Sequence, residues 1–435
     1  MFTIKKTLSI GLLITTIIPS TILLTSCSKE TIFNVDISEG VKSYYGSKIT
    51  EQLATNPTSI HRKTMLITAG APANDKSFNQ ETWGALQVYK EQAQITNNDI
   101  TYRETTIDSN LSAMYDQALD GGYKTWILTG FQHIATFGSW LKISDNQNKF
   151  IESQAVVVGV DWDGSSFVPQ GQFFGLGFAS QEASWVVGRA ASEFLSLSNK
   201  NPHLSSFGGG VFDGVTDFNN GFLQGMLDWN TDNSLKKVKF YSGNSQVEAI
   251  NLETGFAATP EAIETIQSIV GNGENTPQII LPVAGGLISS TIDDIKNKNS
   301  SQMVIGTDTN QAIAFPQDKE MFFSSIEKKV AMAVYKTVVM LAGIPLDYKT
   351  EKSTDIGFQS EFVELKTNAY VKYGFDKGFV GYSTSSLIGS EASKANTCLE
   401  NSYNIFVANK PKFQSMINSG ENNKLLNGII KAINS

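Results

Sequence analysis

The run Asn74-Asp75-Lys-Ser-Phe-Asn-Gln80 gathers a carboxylate, a hydroxyl, an aromatic ring and an amide into seven residues. Those groups suit non-covalent recognition: a ring offers a face, an amide both donates and accepts, and a carboxylate accepts. The run follows a short apolar segment, Met65-Leu66-Ile67, and a small-residue turn, Ala69-Gly70-Ala71-Pro72-Ala73. Strand, turn and capped helix together open a βαβ unit, and ligands of open α/β sheets bind at the carboxyl ends of strands. Phe78 and Asn79 therefore stand where a small molecule would arrive. Asp75 reads equally as a helix cap and Phe78 as a core anchor.

Covalent chemistry finds little support. The run Phe207-Gly-Gly-Gly-Val-Phe-Asp-Gly214 places Asp213 where a dinucleotide fingerprint needs its third glycine. There is no phosphate-binding loop and no nucleophile elbow. His61, His133 and His203 are scattered, without metal-ligand spacing to a second His or a Cys. The pairs Asp161/Asp163 and Asp293/Asp294 imply no general acid by spacing alone. The reading is of a chain that is not an enzyme and needs no cofactor or metal.

The elements that must position these residues alternate along the chain. Strand-like runs fall at Met65–Thr68, Ile100–Glu104, Thr125–Thr129, Ala155–Val160 and Phe173–Phe178. They resume at Leu204–Phe207, Lys237–Tyr241, Gln278–Val283, Gln302–Thr307 and Met321–Ile326. Helical patterns fill Phe78–Ala93, Ser109–Leu119, Gln132–Ile143, Gln181–Leu197, Asp217–Trp229, Pro260–Val270, Leu287–Lys298 and Lys329–Gly343. Such alternation predicts parallel sheets covered on both faces. Ten strands exceed one comfortable sheet of this kind, so two similar lobes are expected. Beyond Ile344 the pattern weakens, and the final stretch from Phe413 reads as one last helix.

Composition bounds the partners. A formal charge of -8 argues against nucleic acid, which needs clustered Lys and Arg. Lys5 and Lys6 precede an apolar stretch, Leu8–Leu24, that ends in Leu24-Thr25-Ser26-Cys27. This resembles the lipobox of bacterial lipoproteins, which implies a signal peptide over residues 1–26 and acylation of Cys27. An ordinary signal peptide or membrane anchor is the alternative. Two acyl chains give stable anchoring. Residues 27–63 are polar with little periodicity and read as a tether without assigned structure. Cys398 is the other cysteine, so burial rather than a disulfide must hold the fold.

Taken in order, the motifs resemble the basic membrane protein family, substrate-binding lipoproteins of ABC transporters typified by bacterial purine nucleoside receptors. The resemblance rests on Asn74–Gln80, Phe178–Ala191, Gly208-Gly-Gly followed by Phe218-Asn-Asn-Gly-Phe-Leu-Gln-Gly225, Pro282–Gly286, Val304–Gln311 and Ser324–Lys328. It implies a type I periplasmic-binding-protein fold, two Rossmann-like lobes with mainly parallel sheets joined by three crossovers. The first lobe would be residues 64–179 plus about 322–344. The second would be 180–321 plus about 345–435.

The resemblance also implies roles. Phe78 and Phe218 would sandwich a base, one from each lobe. Asp308 and Asp161 would accept ribose hydroxyls, Asn79 would meet a base edge, Lys328 would reach the cleft, and Gly285 would let backbone approach the sugar. Plainer readings stand beside these: Phe78 and Phe218 as core, Asp308 as a cap, Asp161 and Lys328 as solvated. The sequence departs from the family at Ala69, where many members carry Asp, and at Asn310, in place of the turn's second Asp. The expected protein is a monomer held to the outer face of the cell membrane by lipid on Cys27. It would bind a nucleoside, purine favoured, and deliver it to an ABC permease. A sugar-binding lipoprotein on the same fold, or a surface adhesin or antigen, is the alternative.

Overall fold

All ten predicted strands form. In the computed structural model, residues 35–96, 98–197, 202–243, 248–273, 275–344, 367–410 and 422–435 are described. The signal peptide and Cys27 lie outside them.

The first sheet contains β1 (Thr64–Ala69), β2 (Ile100–Thr105), β3 (Thr125–Thr129), β4 (Val156–Val160), β5 (Phe173–Phe178) and β11 (Ala369–Tyr373), in the order β11-β5-β4-β3-β1-β2. All its pairings are parallel. The second contains β6 (His203–Gly208), β7 (Lys239–Phe240), β8 (Ile279–Val283), β9 (Met303–Asp308), β10 (Phe322–Lys328) and β12 (Val380–Tyr382), in the order β12-β10-β9-β8-β6-β7. There only β12 runs antiparallel, against β10. The two orders are the same when strands are ranked along the chain, so the lobes repeat one plan. Strands β1, β3, β4, β8 and β9 are buried along their whole length. Helices covering both faces explain their unbroken apolar character.

Register sets the ends of the strands together. Thr68 lies opposite both Glu104 and Thr129, and Thr129 opposite Val160. The loops that follow these strands therefore share one edge of the sheet.

Helix α7 (Ser180–Leu197) carries the chain into the second lobe and packs against α8 (Asp213–Asp232). Glycines bring the two backbones together. A Cβ on Gly188 would overlap the Phe222 carbonyl, and one on Gly225 would overlap that of Trp185. The chain returns after β10 through α12 (Val330–Leu341), which packs on α3 (Phe78–Gln92) of the first lobe. It crosses a third time between β11 and β12. Among the described residues no helix is long and apolar enough to cross a membrane.

Three expectations are corrected. Strand β10 pairs with β9, so residues 322–328 belong to the second sheet and not the first lobe. Within the tail, β11 pairs with β5 of the first sheet. The polar stretch before Lys63 is not all tether. Helix α1 (Glu39–Thr55) begins where the Val41 N–H donates to Ser38 Oγ at 3.4 Å, and it buries Val41, Tyr45 and Ile49 in one stripe. That spacing of four puts the three side chains on one face. Two described helices of the tail pack on the second lobe: α13 (Gly389–Ala408) sets Phe406 against Trp185, and α14 (Asn422–Asn434) accepts the Asn230 amide at the Ile433 carbonyl.

Candidate functional site

The loops at the carboxyl ends of both sheets converge on one cleft. The space between its walls, part of it open to solvent, amounts to about 590 Å³. Phe78, Asn79, Asp75 and Asp161 border it from the first lobe, and Phe218, Gly285, Asp308 and Lys328 from the second. All eight residues singled out for ligand contact thus lie on one cavity.

The turn after β1 is held by its own side chains. Thr68 Oγ1 donates to the Ala71 carbonyl at 2.9 Å. Asp75 caps α3: Oδ1 accepts the N–H groups of Ser77 and Gln80, and Oδ2 that of Asn79. Burial pushes this carboxyl up to about 6, while the three backbone donors pull it back. Capping frees the Ser77 hydroxyl, which reaches across the cleft and donates to Asp308 Oδ2 at 2.8 Å. Asn79 is also partly committed. Its amide donates to the Ala71 carbonyl at 3.2 Å, and its carbonyl accepts from Thr129 Oγ1 at 2.8 Å.

The charged centre is Lys328, the last residue of β10 and only 4% exposed. Its Nζ donates to Asp161 Oδ2 at 2.6 Å and to the Gly214 carbonyl at 3.0 Å, with Asp308 Oδ1 at 3.6 Å. Burial disfavours the ammonium, but Asp161 and Asp308 outweigh it and hold Lys328 above its ordinary range. Asp308 is pushed up by burial, against the pull of Lys328 and of the Ser77 hydroxyl. The same ammonium lies 5.5 Å from the Phe78 ring centroid and 4.8 Å from that of Phe218. Both rings therefore face one charge across one space. Phe78 is half-buried, whereas Phe218 is 1% exposed and also belongs to the hydrophobic core.

Among the lining residues that the sequence reading did not single out are Phe131, Gln132, Phe212, Phe256 and Thr307. Phe131 of the first lobe and Phe212 of the second stack at 3.6 Å between centroids and 22° between planes, with Phe256 6.2 Å from Phe212. The signal for Phe131 was a glycine just past a strand. Gly70, Gly130 and Gly285 each follow a strand end, with φ of 80°, 105° and 52°. Phe212 sat inside the glycine run already noted. Thr307 Oγ1 is buried without a hydrogen-bond partner.

Among the described lining residues there is no histidine, cysteine or serine. The arrangement offers aromatic faces, carboxylate lone pairs, an ammonium and amides, groups suited to non-covalent binding.

No family model matches the chain. It is 24% identical over 285 residues to the ABC transporter nucleoside-binding protein BmpA of Lactococcus lactis subsp. cremoris, covering 64% of this chain and 71% of that one. Among solved structures it superposes on an ABC transporter system solute-binding protein from Aeropyrum pernix with a TM-score of 0.54. That pair is 17% identical, over 85% of this chain and 90% of the other. It also superposes on a transcriptional activator of the comK gene from Bacillus halodurans, with a TM-score of 0.50 and 13% identity over 82% and 98%. The two-lobed, three-crossover architecture is the type I periplasmic-binding-protein fold.

Proposed function

We propose that this chain, which resembles the basic membrane protein family in motif order and in fold, is a solute-binding protein that closes on a nucleoside and delivers it to an ABC permease. The observation that carries the reading is the shared ammonium. Lys328 joins carboxylates of both lobes and lies beside Phe78 of one lobe and Phe218 of the other. A flat heterocycle suits the ring faces, each stacked base contributing ~1–3 kcal/mol. The free lone pairs of Asp161 and Asp308 suit ribose hydroxyls, which donate. The Lactococcus relative is named for the same ligand class.

Closure follows from contacts that exist only when the lobes meet: Ser77 to Asp308, Thr309 to Glu81, and Phe131 on Phe212. A ligand bridging the lobes favours that state by its differential affinity for it. Residues 1–34 carry the rest of the proposal: export by the leader, acylation of Cys27 and attachment to the outer face of the membrane as a monomer.

The test is calorimetry on the protein from Ser28 onward with guanosine, adenosine, inosine, uridine and thymidine. Binding of at least one in the micromolar range or tighter is expected. Heat from free ribose but from no nucleoside would assign a sugar instead. For the anchor, Cys27→Ser should abolish incorporation of labelled palmitate and release the protein from membranes.

A further inference from the structure

We infer that Gln132 reads the edge of the base, and that this neutral reader makes the site accept guanosine and adenosine alike. The inference rests on the nucleoside reading above. Gln132 opens α5 (Gln132–Leu141), in the loop that follows β3. Its amide lies across the carboxyl ends of two paired strands. Nε2 stands 2.5 Å from where a Cβ on Gly70 would be, and Oε1 2.7 Å from where one on Gly130 would be. Two glycines in the left-handed region leave the room that the amide fills. The side chain borders the cavity, is half-buried, and makes no hydrogen bond among the described residues.

The neighbouring groups on that wall are committed or apolar. Ala69 and Ala71 bring only methyl groups. Both oxygens of Asp75 accept from the backbone of α3, Asn79 retains one N–H, and Asp161 holds Lys328. Among the described lining residues of the first lobe, Gln132 is thus the amide with a partner on neither its N–H groups nor its oxygen. A carboxylate could only accept, and would select an edge with two adjacent donors, such as guanine N1–H and N2–H. An amide pairs with a donor beside an acceptor. Guanine offers that as N1–H and O6, and adenine as N6–H with N1 or N7.

The experiment is calorimetric titration of wild type, Gln132→Leu and Gln132→Glu with guanosine, adenosine and ribose, each protein first shown to melt cooperatively. Wild type should bind guanosine and adenosine within about tenfold of each other. Gln132→Leu should weaken both by about tenfold or more, the loss expected for one good bidentate pair. Gln132→Glu should shift the guanosine-to-adenosine ratio at least tenfold towards guanosine. Nucleoside affinities unchanged in both variants would overturn this inference and leave the nucleoside reading standing. A wild type preferring one purine more than a hundredfold would overturn it as well. A wild type that binds no nucleoside would sink both.

Discussion

Asp161 and Asp308 hold one ammonium from opposite lobes, and they do so from equivalent places. Asp161 follows β4 and Asp308 ends β9, strands of the same rank in the two sheets. Each adopts the left-handed region, with φ of 71° and 67°. A non-glycine residue there costs roughly 1–2 kcal/mol, and such outliers persist where the surroundings over-determine them. Here the surroundings are Lys328, 2.6 Å from one carboxylate and 3.6 Å from the other. Replacing Lys328 with Met removes the cation and leaves the buried Asp308 and the half-buried Asp161 facing each other. Breaking a buried pair in this way costs about 3–5 kcal/mol. Urea unfolding of the cargo-free protein should show that loss, and small-angle scattering should show a larger radius of gyration as the lobes part. An unchanged unfolding midpoint would mean that the ammonium does not hold the lobes together.

Phe218 is core as well as site, so its truncation mixes two effects. Phe218→Ala should cost about 3–5 kcal/mol of stability, as large-to-small core changes do, because the ring is 1% exposed. Phe78, half-buried, should cost less. Phe218→Leu keeps most of the volume and removes the π-face. It should weaken nucleoside binding about tenfold or more, in line with the ~1–3 kcal/mol of base stacking, while the melting temperature stays within a few degrees. Wild-type affinity in Phe218→Leu would remove this ring from the site.

The stack of Phe131 on Phe212 joins the lobes at the cavity wall. At 3.6 Å between centroids there is no room for a base between these two rings, so their part is to seal the closed cleft. Phe131→Ala should raise the nucleoside dissociation rate while leaving the association rate nearly unchanged, since most such effects fall on release. Stopped-flow fluorescence separates the two rates. A slower association with unchanged release would assign Phe131 to capture instead.

What the sequence could reveal depended on how each element buries itself. Strands such as β4 and β9 are covered on both faces, so their apolar runs announce them. Helix α1 buries one narrow stripe, Val41, Tyr45 and Ile49, in a polar segment, and its spacing was easy to overlook. Strand β11 has mostly half-buried residues and finds its partner β5 some 195 residues earlier in the chain, which no local pattern encodes. The same holds for β10, whose sheet is decided by pairing with β9. In the site, Asp308 and Lys328 were legible because they end strands. Phe131 and Gln132 were not, because the turn after a strand and the first residue of the helix beyond it carry no period that marks a binding role. The glycines of Phe218–Gly225 serve helix packing, since Gly221 and Gly225 lie against the backbone of α7.

Glu81 gives the last prediction. It lies on α3, 4% exposed, where Oε2 accepts the Asp36 N–H at 3.3 Å and Oε1 accepts Thr309 Oγ1 at 3.1 Å from the second lobe. Asp36 and Lys329 are the charges that face it, and Lys329 is itself paired with Asp36 and Glu327. Burial pushes the Glu81 carboxyl up to about 7, from an ordinary 4.5. The folded state then binds this proton more tightly than the unfolded chain does. Its contribution to stability is complete below about 4.5 and is lost as pH rises through 7. His133, pushed by burial down to about 3, acts the other way, costing stability as pH falls below 6.5. Comparing wild type with Glu81→Gln cancels that opposing group. The variant, permanently neutral, should gain on wild type by a few degrees in melting temperature between pH 5 and pH 8. Melting curves that stay parallel over that range would show that Glu81 does not titrate there.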